Sequence, residues 1–246
     1  MNISQFQIFI GYDPREQDAY NVCKYSIERN SLVKGEPLVH KLYSKEIMEY
    51  NRDWGEPQST DFTFTRFWVP YLSKFSGYSI FCDCDFLFLV DPSDVLIDVD
   101  PQKAVSVVQH PGYIPNSQLK MDGIPQHRAY RKNWASFIVF NNEHPKNQIL
   151  TPEYLNNHRP GLDFHQLRWL DDEDIGSLPM EWNCLDDYYH LKSPNAIHYT
   201  DGGPWFDGYE STMYSDLWSK YYAEMINESL SLIHISEPTR RRGISY

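Results

Sequence analysis

The chain has 246 residues, of which 41% are apolar and 15% aromatic, enough to build the core of one α/β domain of ordinary size. Lys and Arg number 22 against 34 Asp and Glu, so the formal net charge is −12. This charge argues against a nucleic-acid surface and against a face attracted to anionic lipid.

The ends of the chain carry two signals. The N-terminal segment Met1 to Gln5 has no basic stretch and no long apolar run, so we expect no signal peptide and a cytoplasmic protein. Near the other end, Leu230 to Arg240 reads LSLIHISEPTR, which is the translation of a common transposase sequencing adapter in one frame. We therefore predict that the natural sequence ends or is interrupted near Ser229. We expect residues 1–229 to form one domain and residues 230–246 to be a non-native tail.

Cysteines and apolar runs exclude further classes. The longest apolar run, from Ile80 to Val90, contains two aspartates and is too short to span a bilayer, so no transmembrane segment is expected. The cysteines form no C-x-x-C pair, which argues against a zinc site and a disulfide scaffold. They are Cys23, Cys82, Cys84 and Cys184.

Strands and helices alternate in the first third of the predicted fold. Ile8 to Asp13 is a short apolar run that ends in Gly and Asp, which indicates a buried strand reaching a polar edge. A helix from Pro14 to Asn30, a strand from Leu38 to Tyr43, a proline-containing helix from Phe62 to Leu72 and a strand from Tyr78 to Cys82 follow. This order predicts a mostly parallel sheet with helices on both faces.

The rest of the chain extends the same pattern. A long loop from Pro111 to Asn133 is expected to be functional or mobile, because loops of this length are uncommon inside a domain. Ligands of parallel sheets bind beyond the carboxyl ends of the strands, and Tyr12-Asp13 and Asp83-Cys84-Asp85 lie at such ends. Three later strands are predicted at Ala104 to Gln109, Phe137 to Phe140 and Ala196 to Tyr199.

Asp83 and Asp85 are separated by one residue and flanked on both sides by apolar residues. In an ideal strand they would share one face. Two carboxylates that close repel each other unless a cation lies between them, and Mn²⁺ or Mg²⁺ suits oxygen ligands. The alternative is a pair of solvated acids at a strand end. The apolar flanks favour the metal site, because burying unpaired acids is costly.

This pattern resembles the GT-A glycosyltransferases, in particular the glycogenin and bacterial lipopolysaccharide glycosyltransferase group, in which D-x-D follows an apolar strand. The resemblance covers most of residues 6–206. It implies a single α/β domain of the GT-A (Rossmann-like) fold and a metal-dependent, retaining hexosyltransferase. Such an enzyme takes a nucleotide-sugar, with a UDP-sugar expected, and a glycan or small-molecule acceptor. Four further segments agree in order: Ile8 to Asp13, Thr63 to Leu72 with Arg66, Ser136 to Asn141, and Ile197 to Trp205.

The resemblance also implies a metal site. Asp83 would contact the donor ribose or the metal, Asp85 would ligate the metal, and His198 would supply an imidazole ligand, a set that suits Mn²⁺. Such a cation would also supply the local positive charge that an acidic protein needs in order to bind a diphosphate.

The donor would be held at the neighbouring strand end. Tyr12 and Asp13 would bind the nucleobase and ribose, and Arg66 would pair with a carboxylate of the site or with the donor. In the resembled family a lysine precedes the late Pro-Trp pair, but here Gly203 does. Gly202 and Gly203 either offer backbone N–H groups to the diphosphate or form only a tight turn.

The catalytic side is matched only in part. The Asp-Gln pair that faces the sugar in the family corresponds to Asp163, His165 and Gln166, with His165 in the place of the acid. We take Asp163 and Gln166, with Asp83 and Asp85, as candidate catalytic residues. Among the aromatic residues, Trp205 is assigned to the site, and most others are expected in the core.

Two other functions stay open at this point. A phosphatase of the haloacid dehalogenase type also has D-x-D after an apolar strand, but normally on its first strand and followed by a threonine, whereas Phe86 follows here. A carbohydrate- or nucleotide-binding protein without turnover is the non-enzymatic alternative. The acidic run from Leu170 to Asp174 could also bind a cation, although such runs are usually solvated faces.

Overall fold

The computed structural model describes residues 6–31, 38–52, 55, 56, 58–110, 119, 120, 124, 125 and 131–236. Short 3-10 turns separate the regular elements. The strands are β1 Gln7–Gly11, β2 Leu38–Leu42, β3 Tyr78–Cys82, β4 Phe86–Phe88, β5 Val105–Val108, β6 Leu119–Lys120, β7 Ile124–Pro125, β8 Phe137–Asn141, β9 Ile175–Leu178, β10 Cys184–Leu185 and β11 Ala196–His198. The α-helices are α1 Gln17–Asn30, α2 Val69–Leu72, α3 Pro152–Asn157, α4 Leu162–His165 and α5 Ser215–Ser236.

The central sheet has six strands in the order β2-β1-β3-β8-β5-β9. β1 pairs in parallel with β2 and β3, and β5 pairs in parallel with β9. β8 runs antiparallel between β3 and β5. β1, β3, β5 and β8 are buried along most of their length, as expected of strands covered on both faces. The predicted α/β fold, with a mostly parallel sheet flanked by helices, is confirmed.

The direction of β8 brings a second segment to the carboxyl end of β3. Because the two strands are antiparallel, Phe137 at the start of β8 lies opposite Cys82 at the end of β3. The backbone N–H of Asp83 then donates to the carbonyl oxygen of Ser136 at 3.0 Å. The residues before β8 therefore form one wall of the space beyond β3.

A turn at residues 83–85 connects the central sheet to a smaller one. β4 follows directly and belongs to a three-stranded sheet of order β10-β11-β4, in which His198 lies opposite Phe86. The expectation that Asp83 and Asp85 share a face of one strand is wrong, because the chain leaves the central sheet between them. The backbone N–H of Tyr199 donates to the carbonyl oxygen of Asp85 at 3.0 Å, which joins the turn to β11.

A separate apolar cluster holds the small sheet in place. It joins α1, β4, β11 and α5, and burial of these side chains stabilises the position of β11. Its buried members are Val22, Leu87, Ile197, Tyr199, Trp218 and Tyr221.

Several elements differ from the sequence-based expectation. The helix expected from Phe62 to Leu72 consists of a 3-10 turn at Thr65–Trp68 followed by α2. β9 and α5 were not predicted. Most of the long loop from Pro111 to Asn133 lies outside the described residues. α5 continues across position 229, and the domain boundary predicted there stays a prediction.

Within the described residues, none of the helices combines the length and the apolar character needed to cross a membrane.

Candidate active site

The carboxylates of Asp83 and Asp85 and the imidazole of His198 meet where the two sheets join. One possible ligand atom from each side chain lies within 4.8 Å of the other two. Asp85 and His198 are buried, and Asp83 is half-buried. The His198 ring stacks on Phe86, with ring centroids 4.5 Å apart and planes 17° from parallel. The structure thus brings together the three residues that the resemblance implies as metal ligands.

Hydrogen bonds fix which nitrogen of His198 faces the carboxylates. The Ser136 hydroxyl donates to the carbonyl oxygen of Asn133 at 2.7 Å, so its oxygen accepts from Asn183 Nδ2 at 3.0 Å. Asn183 Oδ1 is then the acceptor of the 2.9 Å bond to His198 Nδ1. With Nδ1 donating to Asn183, the other ring nitrogen of His198, Nε2, faces Asp85.

The Asp85 carboxylate fits a cation. Asp85 Oδ2 lies 3.4 Å from His198 Nε2, so a carboxylate oxygen and an imidazole nitrogen face each other. In the described part of the chain, Asp85 Oδ1 is buried and has no hydrogen-bond partner. A buried carboxylate oxygen without a partner is costly. A carboxylate oxygen and an imidazole nitrogen could both be ligands of a divalent ion such as Mn²⁺ or Mg²⁺.

Asp83 is held by a buried arginine. Arg66 Nη1 lies 2.9 Å from Asp83 Oδ1, and the two side chains are 8% and 15% exposed. The same nitrogen donates to the carbonyl oxygen of Ala135 at 2.7 Å. The guanidinium also lies over the rings of Phe62 and Phe81, at 5.3 and 5.0 Å, which favours its positive charge. Arg66 therefore orients Asp83 and offsets its charge.

A cavity of about 220 Å³ opens beside Asp83. Its wall includes Gln166, whose Oε1 accepts from Arg168 Nε at 2.7 Å. Asp163, by contrast, is not among the lining residues and lies 3.2 Å from His158 Nε2 and 3.5 Å from Arg168 Nε. Of the two further catalytic candidates, the structure places Gln166 at the cavity and Asp163 outside its wall. The other charged or polar lining residues include Arg66, Asp83, Arg131, Lys132 and His165.

Comparisons with known proteins place this geometry in context. The chain matches no protein-family model. It is 41% identical over 232 residues to Protein CDI of Arabidopsis thaliana, which covers 91% of this chain and 88% of that protein. The chain belongs to the Protein CDI family.

Solved structures show the fold of this CDI-family chain. It superposes on the bifunctional glycosyltransferase WbbM with a TM-score of 0.61 and 17% identity, covering 90% of this chain and 51% of WbbM. For the glycosyltransferase GlyE of Streptococcus pneumoniae TIGR4 the TM-score is 0.58 at 15% identity, covering 96% and 65%. For the galactosyltransferase LgtC, in complex with donor and acceptor sugar analogues, it is 0.57 at 12% identity, covering 89% and 95%. The chain spans about half of WbbM, and the GT-A fold implied by the resemblance is confirmed.

The first strand of the CDI-family chain ends in a well-paired carboxylate. Asp13 is buried, and it accepts bonds from Arg15 Nε at 3.0 Å, Arg15 Nη2 at 2.8 Å and the backbone N–H of Asp61 at 3.1 Å. Burial raises the pKa of Asp13, but the bonds from Arg15 and Asp61 outweigh it and hold the pKa below its ordinary value. Tyr12 lies under Lys41, whose Nζ is 4.8 Å from the ring centroid. Nucleotide binding by Tyr12 and Asp13 stays a prediction.

The late diglycine of the CDI-family chain forms a tight turn. Gly202 has a φ of 125°, and its N–H donates to the carbonyl oxygen of Tyr199 at 2.9 Å. A Cβ on Gly203 would lie 2.1 Å from the ring of Trp205. Trp205 in turn packs against Tyr199 and Trp218. The absence of a side chain at Gly203 therefore leaves room for the Trp205 ring. Binding of phosphate by Gly202 and Gly203 stays a prediction.

The acidic run near residue 171 is tied to basic side chains. Lys146 Nζ lies 2.6 Å from Asp171 Oδ2 and 2.5 Å from Asp174 Oδ2, and Asp172 pairs with Arg131. These pairs favour a solvated, ion-paired face over a separate cation site.

Sequence reasoning missed Asn183 and His110. Asn183 is a single polar residue between Trp182 and Cys184, and no local pattern marks it. His110 lies two residues after the end of β5, as Asp13 lies two residues after the end of β1. This position at a strand end is a signal that could have identified His110. His110 is buried, and neither ring nitrogen has a hydrogen-bond partner among the described residues. Burial and the nearby His198 lower its pKa to about 3.

Proposed function

We propose that the protein is a metal-dependent glycosyltransferase that moves a hexose from a nucleotide-sugar, with a UDP-sugar as the expected donor, to a hydroxyl of a glycan or small-molecule acceptor. The observation that carries this proposal is the cluster of Asp83, Asp85 and His198 at the carboxyl edge of a GT-A sheet. Support also comes from LgtC, a galactosyltransferase of the same fold that was solved with donor and acceptor sugar analogues.

The residues of the cluster take separate roles in this proposal. Asp85 and His198 would hold Mn²⁺ or Mg²⁺ through a carboxylate oxygen and through Nε2. Asp83, oriented by Arg66, would contact the ion or the donor ribose. When bound, the cation would offset the negative charge that grows on the leaving nucleoside diphosphate as the glycosidic bond breaks.

The sugar would lie in the cavity beside Asp83. Gln166 lines this cavity and is the candidate that faces the reacting carbon. Asp163 would act through His158 and Arg168, with which it pairs. Retention of the anomeric configuration is part of the proposal and comes from the family resemblance. It is tested by the anomeric proton coupling in the NMR spectrum of the product.

Release of nucleoside diphosphate from UDP-glucose, UDP-galactose and other nucleotide-sugars, with and without Mn²⁺, tests the activity. Asp85→Asn should remove most of the Mn²⁺-dependent release, because it removes a ligand charge with little change in volume. Asp94→Asn, at an exposed aspartate, is the charge-matched control and should keep the rate. Near-normal rates of Asp85→Asn at limiting Mn²⁺ would contradict the metal assignment.

The same assay separates the alternatives. Hydrolysis of p-nitrophenyl phosphate without turnover of any nucleotide-sugar would indicate a phosphatase. The GT-A fold and the position of the motif after the third strand along the chain argue against that function. Binding of a nucleotide-sugar without turnover would indicate the non-enzymatic alternative. A cytoplasmic location is proposed on the sequence argument alone.

A further inference from the structure

A tight turn at the end of α4 brings three polar side chains together. The backbone N–H of Arg168 donates to the carbonyl oxygen of Asp163 at 2.9 Å, and the N–H of Leu167 donates to the carbonyl oxygen of Phe164 at 2.9 Å. Two such nested bonds commonly close the carboxyl end of a helix around a residue with left-handed backbone geometry. The turn folds the chain back, so that Gln166 lies between Asp163 and Arg168.

The residue at the centre of this turn has a strained backbone. Leu167 has a φ of 53°, in the left-handed region where glycine is the usual residue at this position. A leucine adopts that conformation at a cost in free energy, and such conformations persist where the surrounding structure enforces them, often at functional sites. The Leu167 side chain is fully buried in the core. Core packing therefore fixes the turn and the positions of the residues on either side of it.

Arg168 determines the orientation of the Gln166 amide. Arg168 Nε donates to Gln166 Oε1 at 2.7 Å and lies 3.5 Å from Asp163 Oδ1. Asp163 Oδ2 in turn lies 3.2 Å from His158 Nε2. A guanidinium has donors only, so the atom of Gln166 that it meets must be the carbonyl oxygen. Gln166 is buried and lines the cavity beside Asp83, and the group left to face a ligand there is its amide nitrogen, with two N–H donors.

We infer that Arg168 is a positioning residue, which holds the Gln166 amide so that its N–H donors face oxygens of the donor sugar. This inference rests on the proposed function, which places the sugar in the cavity that Gln166 lines. Gln166 then acts as a hydrogen-bond donor, and its Oε1, bound by Arg168, is not free to attack the reacting carbon. A donor group that is already oriented needs no reorganisation as charge develops in the transition state.

Steady-state release of UDP from UDP-glucose and UDP-galactose at saturating Mn²⁺, with the other nucleotide-sugars of the activity assay alongside, tests the inference. Arg168→Met removes the guanidinium and keeps an apolar stem. Its kcat should fall about 10- to 100-fold with little change in KM, because a misplaced group costs mainly in the reaction step. Its thermal unfolding should stay near that of the unaltered protein, because the Arg168 side chain is 62% exposed and exposed ion pairs add little stability. Arg168→Lys should keep part of the rate. Arg29→Met, which removes another ion-paired arginine, between α1 and α5, should keep all of it.

A double-mutant cycle separates positioning from a merely structural role. In the Gln166→Ala protein, Arg168→Met should have no further effect on kcat, because Arg168 acts through Gln166. An equal loss of kcat in both backgrounds would overturn the inference. Gln166→Glu keeps an acceptor for Arg168 but has no N–H donors, so it should lose as much kcat as Gln166→Ala. A Gln166→Glu protein with a near-normal rate would show that the donors are not used.

The outcomes distinguish this inference from the proposed function. If the unaltered protein turns over a nucleotide-sugar and Arg168→Met has the same kcat, Arg168 does not position Gln166 and the proposed function stands. If the unaltered protein turns over no nucleotide-sugar with Mn²⁺, the proposed function fails and this inference fails with it.

Discussion

Replacing Asn183 with leucine should weaken Mn²⁺ binding about 10- to 100-fold, although Asn183 would not itself touch the ion. Asn183 is fully buried, and its Oδ1 accepts the 2.9 Å bond from His198 Nδ1. Without that acceptor, the imidazole no longer favours the tautomer with a lone pair on Nε2. In the other tautomer the Nε2 proton points to Asp85, whose Oδ2 is 3.4 Å away, and blocks the metal position.

The expected loss corresponds to about 1.4 to 2.8 kcal/mol of binding free energy, at about 1.4 kcal/mol for each factor of ten. It is measured by titrating the metal-free protein with Mn²⁺ at one pH by calorimetry. Asn142→Leu is the matched control. It removes another fully buried amide, which bonds Ser76 and Ser79 at the far end of β3.

Both variants should lose folding stability, because each leaves buried partners unpaired. Only Asn183→Leu should lose metal affinity, and Asn183→Asp, which keeps an acceptor oxygen, should retain most of it. Equal Mn²⁺ affinity of Asn183→Leu and the unaltered protein, or an equal loss in Asn142→Leu, would refute the role of Asn183 in orienting His198.

Other predictions concern stability. Arg66→Ala should lower the free energy of unfolding in urea by about 3 kcal/mol or more, because it removes the buried guanidinium that pairs with Asp83 and donates to the carbonyl oxygen of Ala135. Mn²⁺ should restore part of this loss. A cost below about 1 kcal/mol would contradict the pairing. Asp13→Asn should cost about 1 to 3 kcal/mol at pH 7, because charged bonds from Arg15 are weakened. The pKa of Asp13 is lower in the folded than in the unfolded protein. The contribution of Asp13 to folding stability is therefore complete above about pH 4 and is lost as the pH falls further. The free energies of unfolding of Asp13→Asn and of the unaltered protein, measured in urea, should converge between pH 7 and pH 3. A constant difference between them would contradict the assignment.

The apolar runs made much of the central sheet predictable. β1, β3, β5 and β8 are short apolar segments that end in polar residues, and tertiary contacts do not override that signal. β9 escaped prediction because its sequence, Ile-Gly-Ser-Leu, becomes a strand through pairing with β5. The turn at residues 83–85 escaped for a different reason. Apolar flanks on both sides look the same for one continuous strand and for two strands in different sheets.

The sequence predicted those residues of the candidate site that belong to motifs occurring in the same order as in the resembled family. Asp83, Asp85 and His198 came from that order, and the structure brings them together. Asn183 could not be found in this way, because its role depends on which segments the antiparallel strand β8 and the small sheet bring to the carboxyl end of β3. The long-range pairing that does this leaves no periodic pattern around the residue.

A crystal structure of the protein with Mn²⁺ and UDP, with diffraction measured at the manganese absorption edge, tests the central claim most directly. We expect an anomalous peak between Asp83, Asp85 and His198, with oxygens of the UDP diphosphate bound to the same ion. A manganese peak elsewhere, or UDP bound away from these three side chains, would contradict the proposal that this cluster is the metal centre of a glycosyltransferase.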